Sequence, residues 1–251
     1  PVHSVVQMST FLLFPLLGLA LIALPGIDGD LRLGLFFLCA LPSTVSSSVA
    51  LTATARGNVP VAVFNATFSN LAGVLFTPLL VGLVMEASGL RLPFGEVFLD
   101  LVRWLVLPLV VGQLLHPWLG SLVQRHKRWA TMVDRTVILL LVYTSFCESV
   151  KQGIWTSYGW GNVAMLSVVS LALFIIVIVV TRAVSRALKF PREEEIGSQK
   201  TLAAGIPMAQ LIFAGHPGIG LILLPIMIYH PLQLILCSGL ASRWTREAKL
   251  D

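Results

Sequence analysis

The stretch LALFIIVIVV, Leu171 to Val180, is apolar on every face, and runs like it recur along the whole chain. In hydrocarbon every backbone N–H and C=O must find its partner inside the protein, so only helices and closed barrels can cross it. Barrel strands would show ten-residue alternation with frequent turns, and these runs do not. The fold class predicted is therefore all-α, a polytopic membrane protein. A hydrocarbon core of ~30 Å takes about 20 residues of helix. Eight spans can be drawn, at 5–25, 31–54 (broken near 42), 59–85, 97–119, 132–150, 162–188, 197–213 and 218–240. Composition agrees, since 56% of the 251 residues are hydrophobic and 12% charged, against ~25% charged in soluble domains.

Sixteen of the seventeen lysines and arginines, all but Lys200, divide unevenly between the loops. One side carries Arg56, Arg125, Lys127, Arg128, Arg135, Arg182, Arg186, Lys189, Arg192, Arg243, Arg246 and Lys249; the other carries Arg32, Arg91, Arg103 and Lys151. The positive-inside rule places the richer side, with the C-terminus, in the cytoplasm, on a plasma or bacterial inner membrane. Topology thus accounts for the net charge of +5, and nucleic acid is not an expected partner. The chain starts at Pro1 and enters its first span almost at once, so it is expected to be N-terminally incomplete. Neither a charged n-region nor a cleavage site marks that span as a signal peptide. Cys39, Cys147 and Cys237 lie in apolar segments with neither metal spacing nor a disulfide framework.

Two spans are interrupted. In LPSTVSSSVALTATARGN, Leu41 to Asn58, Pro42 removes an intrahelical bond and Ser43, Thr44, Ser46, Ser47 and Ser48 follow it. In EIGSQKTLAAGIPMAQ, Glu195 to Gln210, Ser198, Gln199, Lys200 and Thr201 lie between a glycine and the Gly205–Pro207 pair. A broken helix survives at membrane depth only where protein buries it or a wet cavity solvates it. Hydroxyls and freed carbonyls are hard oxygen ligands suited to sodium; the alternative is that the serines let helices pack closely. Two interruptions in comparable positions point to an inverted-repeat transporter with two crossing discontinuous helices. With two spans missing at the start, eight of ten are present, and each break falls in the fourth span of a five-span half. Ser46 to Ser48 should then approach Gly197 to Thr201 near mid-membrane.

Lys200 sits inside the second interruption. A lysine near the bilayer centre costs ~2.5–3.5 kcal/mol on insertion scales and marks a functional site by default. It can stand in for an ion as a tethered charge or pair with an anionic substrate group, with Ser198 and Thr201 beside it. The plainer alternative is a side chain that snorkels to an interface.

The stretches LPSTVSSSVALT, GNVPVAVFNATFSNLAGVLFTPLL, LVYTSFCES and GSQKTLAAGIPMAQLIFAGHPGIGLILLPIMIYHPLQ resemble the bile acid:sodium symporter superfamily. Within it they resemble the branch of the vertebrate seventh-member transporter and its bacterial relatives. The resemblance covers the whole chain. It implies a core domain that moves against a smaller panel: residues 1–90 as first-repeat core helices, 91–155 as panel helices and 156–251 as second-repeat core helices. It also implies sodium ligands. The hydroxyl and amide pair of the first broken helix falls on Ser47 and Ser48, next to Ser46. On the following helix the family's hydroxyl positions fall near Ala62 and Ala66, where Asn65 and Ser69 share one face and can supply oxygens. A Glu-x-x-x-Gln pattern matches Glu195 and Gln199. The glutamine of the first core helix matches Thr10, with Gln7 one turn away. Glu148, His230 and Gln233 are weaker candidates for a cavity wall, Glu148 also reading as an exposed charge at a helix end.

The function expected is a secondary transporter, sodium-coupled symport of an organic anion by alternating access, with Na+ the coupling ion and lipid the surroundings. No G-x-x-x-x-G-K-[ST] loop offers a nucleotide site, and no H-E-x-x-H motif or nucleophile with its base suggests an enzyme. A non-transporting sensor or regulatory membrane protein on the same fold remains the alternative.

Overall fold

The computed structural model describes residues 2–23, 25–89, 93–151, 153, 159–188 and 199–247. Nine helices order them: α1 (His3–Ile22), α2 (Gly29–Ala40), α3 (Ser46–Thr54), α4 (Val59–Ala87), α5 (Phe94–Arg125), α6 (Lys127–Lys151), α7 (Gly159–Ala187), α8 (Leu202–Ile212) and α9 (Ile219–Glu247). Six of them, α1, α4, α5, α6, α7 and α9, are long and apolar enough to cross a membrane. Among the described residues there is no β-strand beyond one isolated bridge. The protein is an all-α, polytopic membrane protein.

The predicted spans at 97–119 and 132–150 extend to Phe94–Arg125 and Lys127–Lys151. They are separated by His126 alone, so their basic ends are helical rather than looped. The span interrupted at Pro42 resolves into two shorter helices, and of the span drawn at 197–213 the described residues form α8. Leu41 precedes Pro42 and takes φ −65°, ψ 150°, because proline's ring disfavours the helical region for the residue before it. Helix α2 therefore stops, and α3 restarts at Ser46.

Prolines shape α1 and α5 in the same way. Each contains a five-residue π-turn, Ser9–Leu13 and Val102–Val106. Each is followed by one residue and then a proline. Phe14 N–H bonds Ser9 carbonyl and Leu107 N–H bonds Val102 carbonyl, so the next carbonyl, of Thr10 or Arg103, faces a proline that has no N–H to give.

Helix α2 is the centre of the molecule, with every residue from Leu33 to Ala40 buried. It packs between α1 and α9. At Gly34 a Cβ would collide with the Ile222 carbonyl, so glycine is what lets α9 approach this closely. The core joins Phe14, Phe36, Phe37 and Leu38 to Ile206, Met208, Ile222, Ile226 and Tyr229. Gly73 of α4 does the same for the break, since a Cβ there would lie 2.8 Å from Pro42 carbons.

Candidate functional site

The break after α2 leaves backbone groups that no helix can satisfy, and burial demands partners for them. Each freed carbonyl from Cys39 to Ser43 has one. Cys39 and Leu41 oxygens accept from the Lys200 ammonium at 2.8 and 2.6 Å. Ala40 oxygen accepts from the Thr77 hydroxyl at 2.9 Å, and Ser43 oxygen from the Asn70 amide at 2.7 Å. Pro42 oxygen accepts from Thr201 N–H at 3.3 Å. On the donor side, Ser43 N–H bonds the Ser69 hydroxyl at 2.9 Å and Thr44 N–H bonds Gln199 oxygen at 2.7 Å.

These bonds join the two interrupted segments directly. Ser43 and Lys200 form an antiparallel bridge, and Thr201, extended at φ −93°, ψ 126°, then caps α8 by accepting from Ala204 N–H. The meeting point is Pro42–Thr44 rather than Ser46–Ser48. The three serines open α3 just beyond it, and the pairing of the two segments falls on the residues before them.

Lys200 is wholly buried at 0% exposure. An ammonium has three donors, and here all three meet carbonyls: those of Cys39 and Leu41, and that of Thr10 at 3.1 Å. The Phe14 ring covers it, 4.1 Å from Nζ to centroid, in the geometry of a cation–π contact. Thr10 thus contributes its main-chain oxygen, the one Pro15 leaves unpartnered, while its hydroxyl bonds Val6 oxygen. The Lys200 backbone is also held from both sides: Gln233 Oε1 accepts its N–H at 3.1 Å and Gln233 Nε2 donates to its oxygen at 2.6 Å. The His230 Nδ1 lies 3.2 Å from the same oxygen. Hydrogen bonds to a charged group contribute about 1.5–3 kcal/mol each and an orphaned buried acceptor costs about 1–3 kcal/mol, so this cluster carries a large share of local stability.

The other predicted residues distribute around this knot. Ser46 is exposed, and the Ser47 hydroxyl bonds that of Thr44 at 3.1 Å. Ser48 is buried, and its hydroxyl has no hydrogen-bond partner. The Gln199 side chain is buried with neither amide atom in hydrogen-bond geometry, the Cys237 thiol being its neighbour. Asn65 is buried with Oδ1 2.9 Å from His3 Nδ1, and its carbonyl accepts from Gln7 Nε2 at 3.0 Å. Gln7 Oε1 is a further buried oxygen without a partner. Glu148 is exposed on α6. Glu195 and Ser198 lie outside the described residues.

Sequence reasoning passed over Asn70, Thr77 and Phe14. For Thr77 a signal existed: Asn65, Ser69, Gly73 and Thr77 fall every fourth residue, one face of a helix, and that face is the one the break packs on. Phe14 gave none, because an aromatic over a cation looks like any core residue until the lysine is placed.

A second feature borders the crossing. A cavity of about 440 Å³ opens between α5 and α8, lined by Trp104, Leu105, Ala203, Ala204, Pro207, Gln210 and Leu211. It is an apolar pocket with an indole, one amide and the first turn of α8.

A buried polar knot inside a bundle of membrane-length helices fits a membrane transporter. The chain belongs to the SBF-like CPA transporter family, whose model matches residues 1–246. It is 44% identical over 257 residues to YfeH of Escherichia coli strain K12, a candidate symporter by name, covering 98% of this chain and 76% of that one. It is 32% identical over 250 residues to sodium/bile acid cotransporter 7 of Danio rerio, covering 95% and 73%. The mouse protein of the same name is 32% identical over 254 residues, covering 95% and 72%. These relatives place it in the bile acid:sodium symporter branch.

Proposed function

We propose that this transporter is a sodium-coupled symporter of an organic anion, working by alternating access. The observation that carries the reading is the antiparallel bridge between Ser43 and Lys200 together with the unpartnered polar atoms beside it. Ser48 lies one helical turn after Thr44, whose N–H is bonded to Gln199 oxygen. The Ser48 hydroxyl and the Gln199 amide, both buried and without partners, therefore belong to segments tied together at one point. A buried polar atom without a partner costs about 1–3 kcal/mol, and an oxygen-seeking cation such as sodium offsets that cost by direct coordination. Ser47, Asn65, Ser69 and Gln7 complete the candidate ligand set, while both oxygens of Thr10 are already engaged, the hydroxyl by Val6 oxygen and the carbonyl by Lys200. In this reading residues 1–90 and 156–251 form the core of two inverted repeats, their discontinuous helices crossing here, and residues 91–155 form the panel. The basic loops and the C-terminus face the cytoplasm.

The anion's place is the α5–α8 cavity, between panel and core. Its volume is within the 300–1,000 Å³ common for ligand sites, and Trp104 and Leu105 suit an apolar body. Ala203 and Ala204 belong to the first turn of α8 and Gln210 and Leu211 to its last, so the pocket runs along the helix and the Gln210 amide is its donor for an anionic head. Rocking of core against panel would open that cavity to one side and then the other. Uptake of radiolabelled amphipathic carboxylates and sulfonates into proteoliposomes tests this. Accumulation under an inward sodium gradient and not under choline is the expected result. Equal uptake under both overturns sodium coupling, and sodium binding without uptake of any probe overturns symport in favour of a sensor.

A further inference from the structure

The sodium reading uses the side chains of Ser48 and Gln199 and leaves the lysine next door unexplained. Its surroundings have the form of a cation receptor. Three carbonyl oxygens, of Thr10, Cys39 and Leu41, converge on one nitrogen at 2.6–3.1 Å, and the Phe14 ring closes the remaining face. All four groups come from residues 10–41, and each carbonyl is free for a local reason. Thr10 faces Pro15 in its π-turn, while Cys39 and Leu41 sit where Pro42 ends α2. Among the described residues no carboxylate pairs with the ammonium, and three carbonyl dipoles and one ring face hold its positive charge. Neutral carbonyls in such an array bind small monovalent cations by replacing their hydration shell. Here the cation arrives from the other half of the chain, on the tether of residue 200, and its own backbone is fixed by Gln233.

We propose that the Lys200 ammonium is the transporter's built-in cation, filling a carbonyl site of Thr10, Cys39 and Leu41 whose chemistry otherwise takes a small monovalent cation or a primary ammonium. The charge locks the first interruption to the second and stays with the protein, so no soluble ion is needed at this position. The ammonium's three donors are all engaged and enclosed, which leaves none for a substrate anion. The proposal stands apart from the sodium reading, because it concerns another set of oxygens and is read by stability rather than uptake.

The test is Lys200→Ala in the full chain, purified in detergent, with the unfolding midpoint followed in sodium, potassium, ammonium or ethylammonium chloride against choline chloride at equal ionic strength. The expected result is a midpoint several degrees below wild type in choline, restored saturably by ethylammonium or one of the small cations, with wild type unresponsive to ethylammonium. A wild-type midpoint in choline, no restoration by any of the four, or an equal ethylammonium shift in wild type overturns the proposal. Should the variant not accumulate folded, wild type itself decides. A membrane-permeant acetylating reagent should modify Lys151, which is exposed, and leave Lys200 intact, whereas equal modification of the two overturns the cage.

Discussion

Helix α9 is largely buried inside the molecule and α6 hardly at all, although both read as spans from the sequence. The α5–α6 pair, Phe94 to Lys151, turns Trp104, Trp118, Trp129 and Tyr143 outward. The crossing of α2, α3 and α8 does the reverse, taking in a lysine, a glutamine and a row of hydroxyls. Hydropathy alone cannot separate these regions, because lipid and protein interior are equally apolar. What separates them is the distribution of oxygen and nitrogen: polar atoms cluster where backbone bonds have been broken. Stability should accordingly be concentrated in the crossing, and substitutions of one chemical type should act very differently in the two places.

The largest contrast should come from glutamine. Gln233→Leu strips two bonds from the Lys200 backbone and leaves a buried N–H and carbonyl short of partners, a loss of roughly 2–6 kcal/mol at about 1–3 kcal/mol per group. Gln113→Leu, on the exposed face of α5, should stay within ~0.5 kcal/mol. Unfolding midpoints measured side by side in one detergent check this, and equal shifts would break the contrast. Next in size, Thr77→Val should cost about 1–3 kcal/mol by orphaning the Ala40 carbonyl. A reference change of the same kind, Thr131→Val on α6, removes only an exposed hydroxyl bond to its own helix and should be near neutral.

Ser48→Ala sharpens the comparison from the other direction. Its hydroxyl has no partner, so in sodium-free buffer the variant should be at least as stable as wild type, gaining up to about 1–3 kcal/mol as the orphaned group is removed, while its response to added sodium falls. A loss of stability without sodium would show that the hydroxyl already serves packing. The smallest effect belongs to Trp118→Phe, 73% exposed on α5, expected to change neither midpoint nor sodium response.

The helical class, six of the eight spans and the interruption at Pro42 were legible in the sequence, because apolar runs and prolines act locally. So was Lys200 as an oddity, since a charge in hydrocarbon needs a reason wherever it is. Its partners were not legible. They are main-chain oxygens, which carry no residue identity, and the oxygen of Thr10 was freed by a π-turn that no periodicity announces. The serines drew attention by composition, yet the backbone pairing falls on Pro42 to Thr44, just before the helix that Ser46 opens. Gln233 was visible only as one polar residue beside Pro231, and its two-point hold on Lys200 depends on the fold bringing residues 33 apart face to face.

The central claim is that the crossing binds the coupling ion, and sodium-dependent stabilisation tests it most directly. A ligand that binds only the folded state raises its stability by about 2.7 kcal/mol at a hundredfold excess over Kd. Midpoints would be measured across a sodium chloride series balanced with choline chloride for wild type, Ser48→Ala, Gln199→Leu and Trp118→Phe. The account predicts a saturable rise in wild type and Trp118→Phe that is weakened in Ser48→Ala and Gln199→Leu. No rise in wild type, or the same rise in all four proteins, would contradict it.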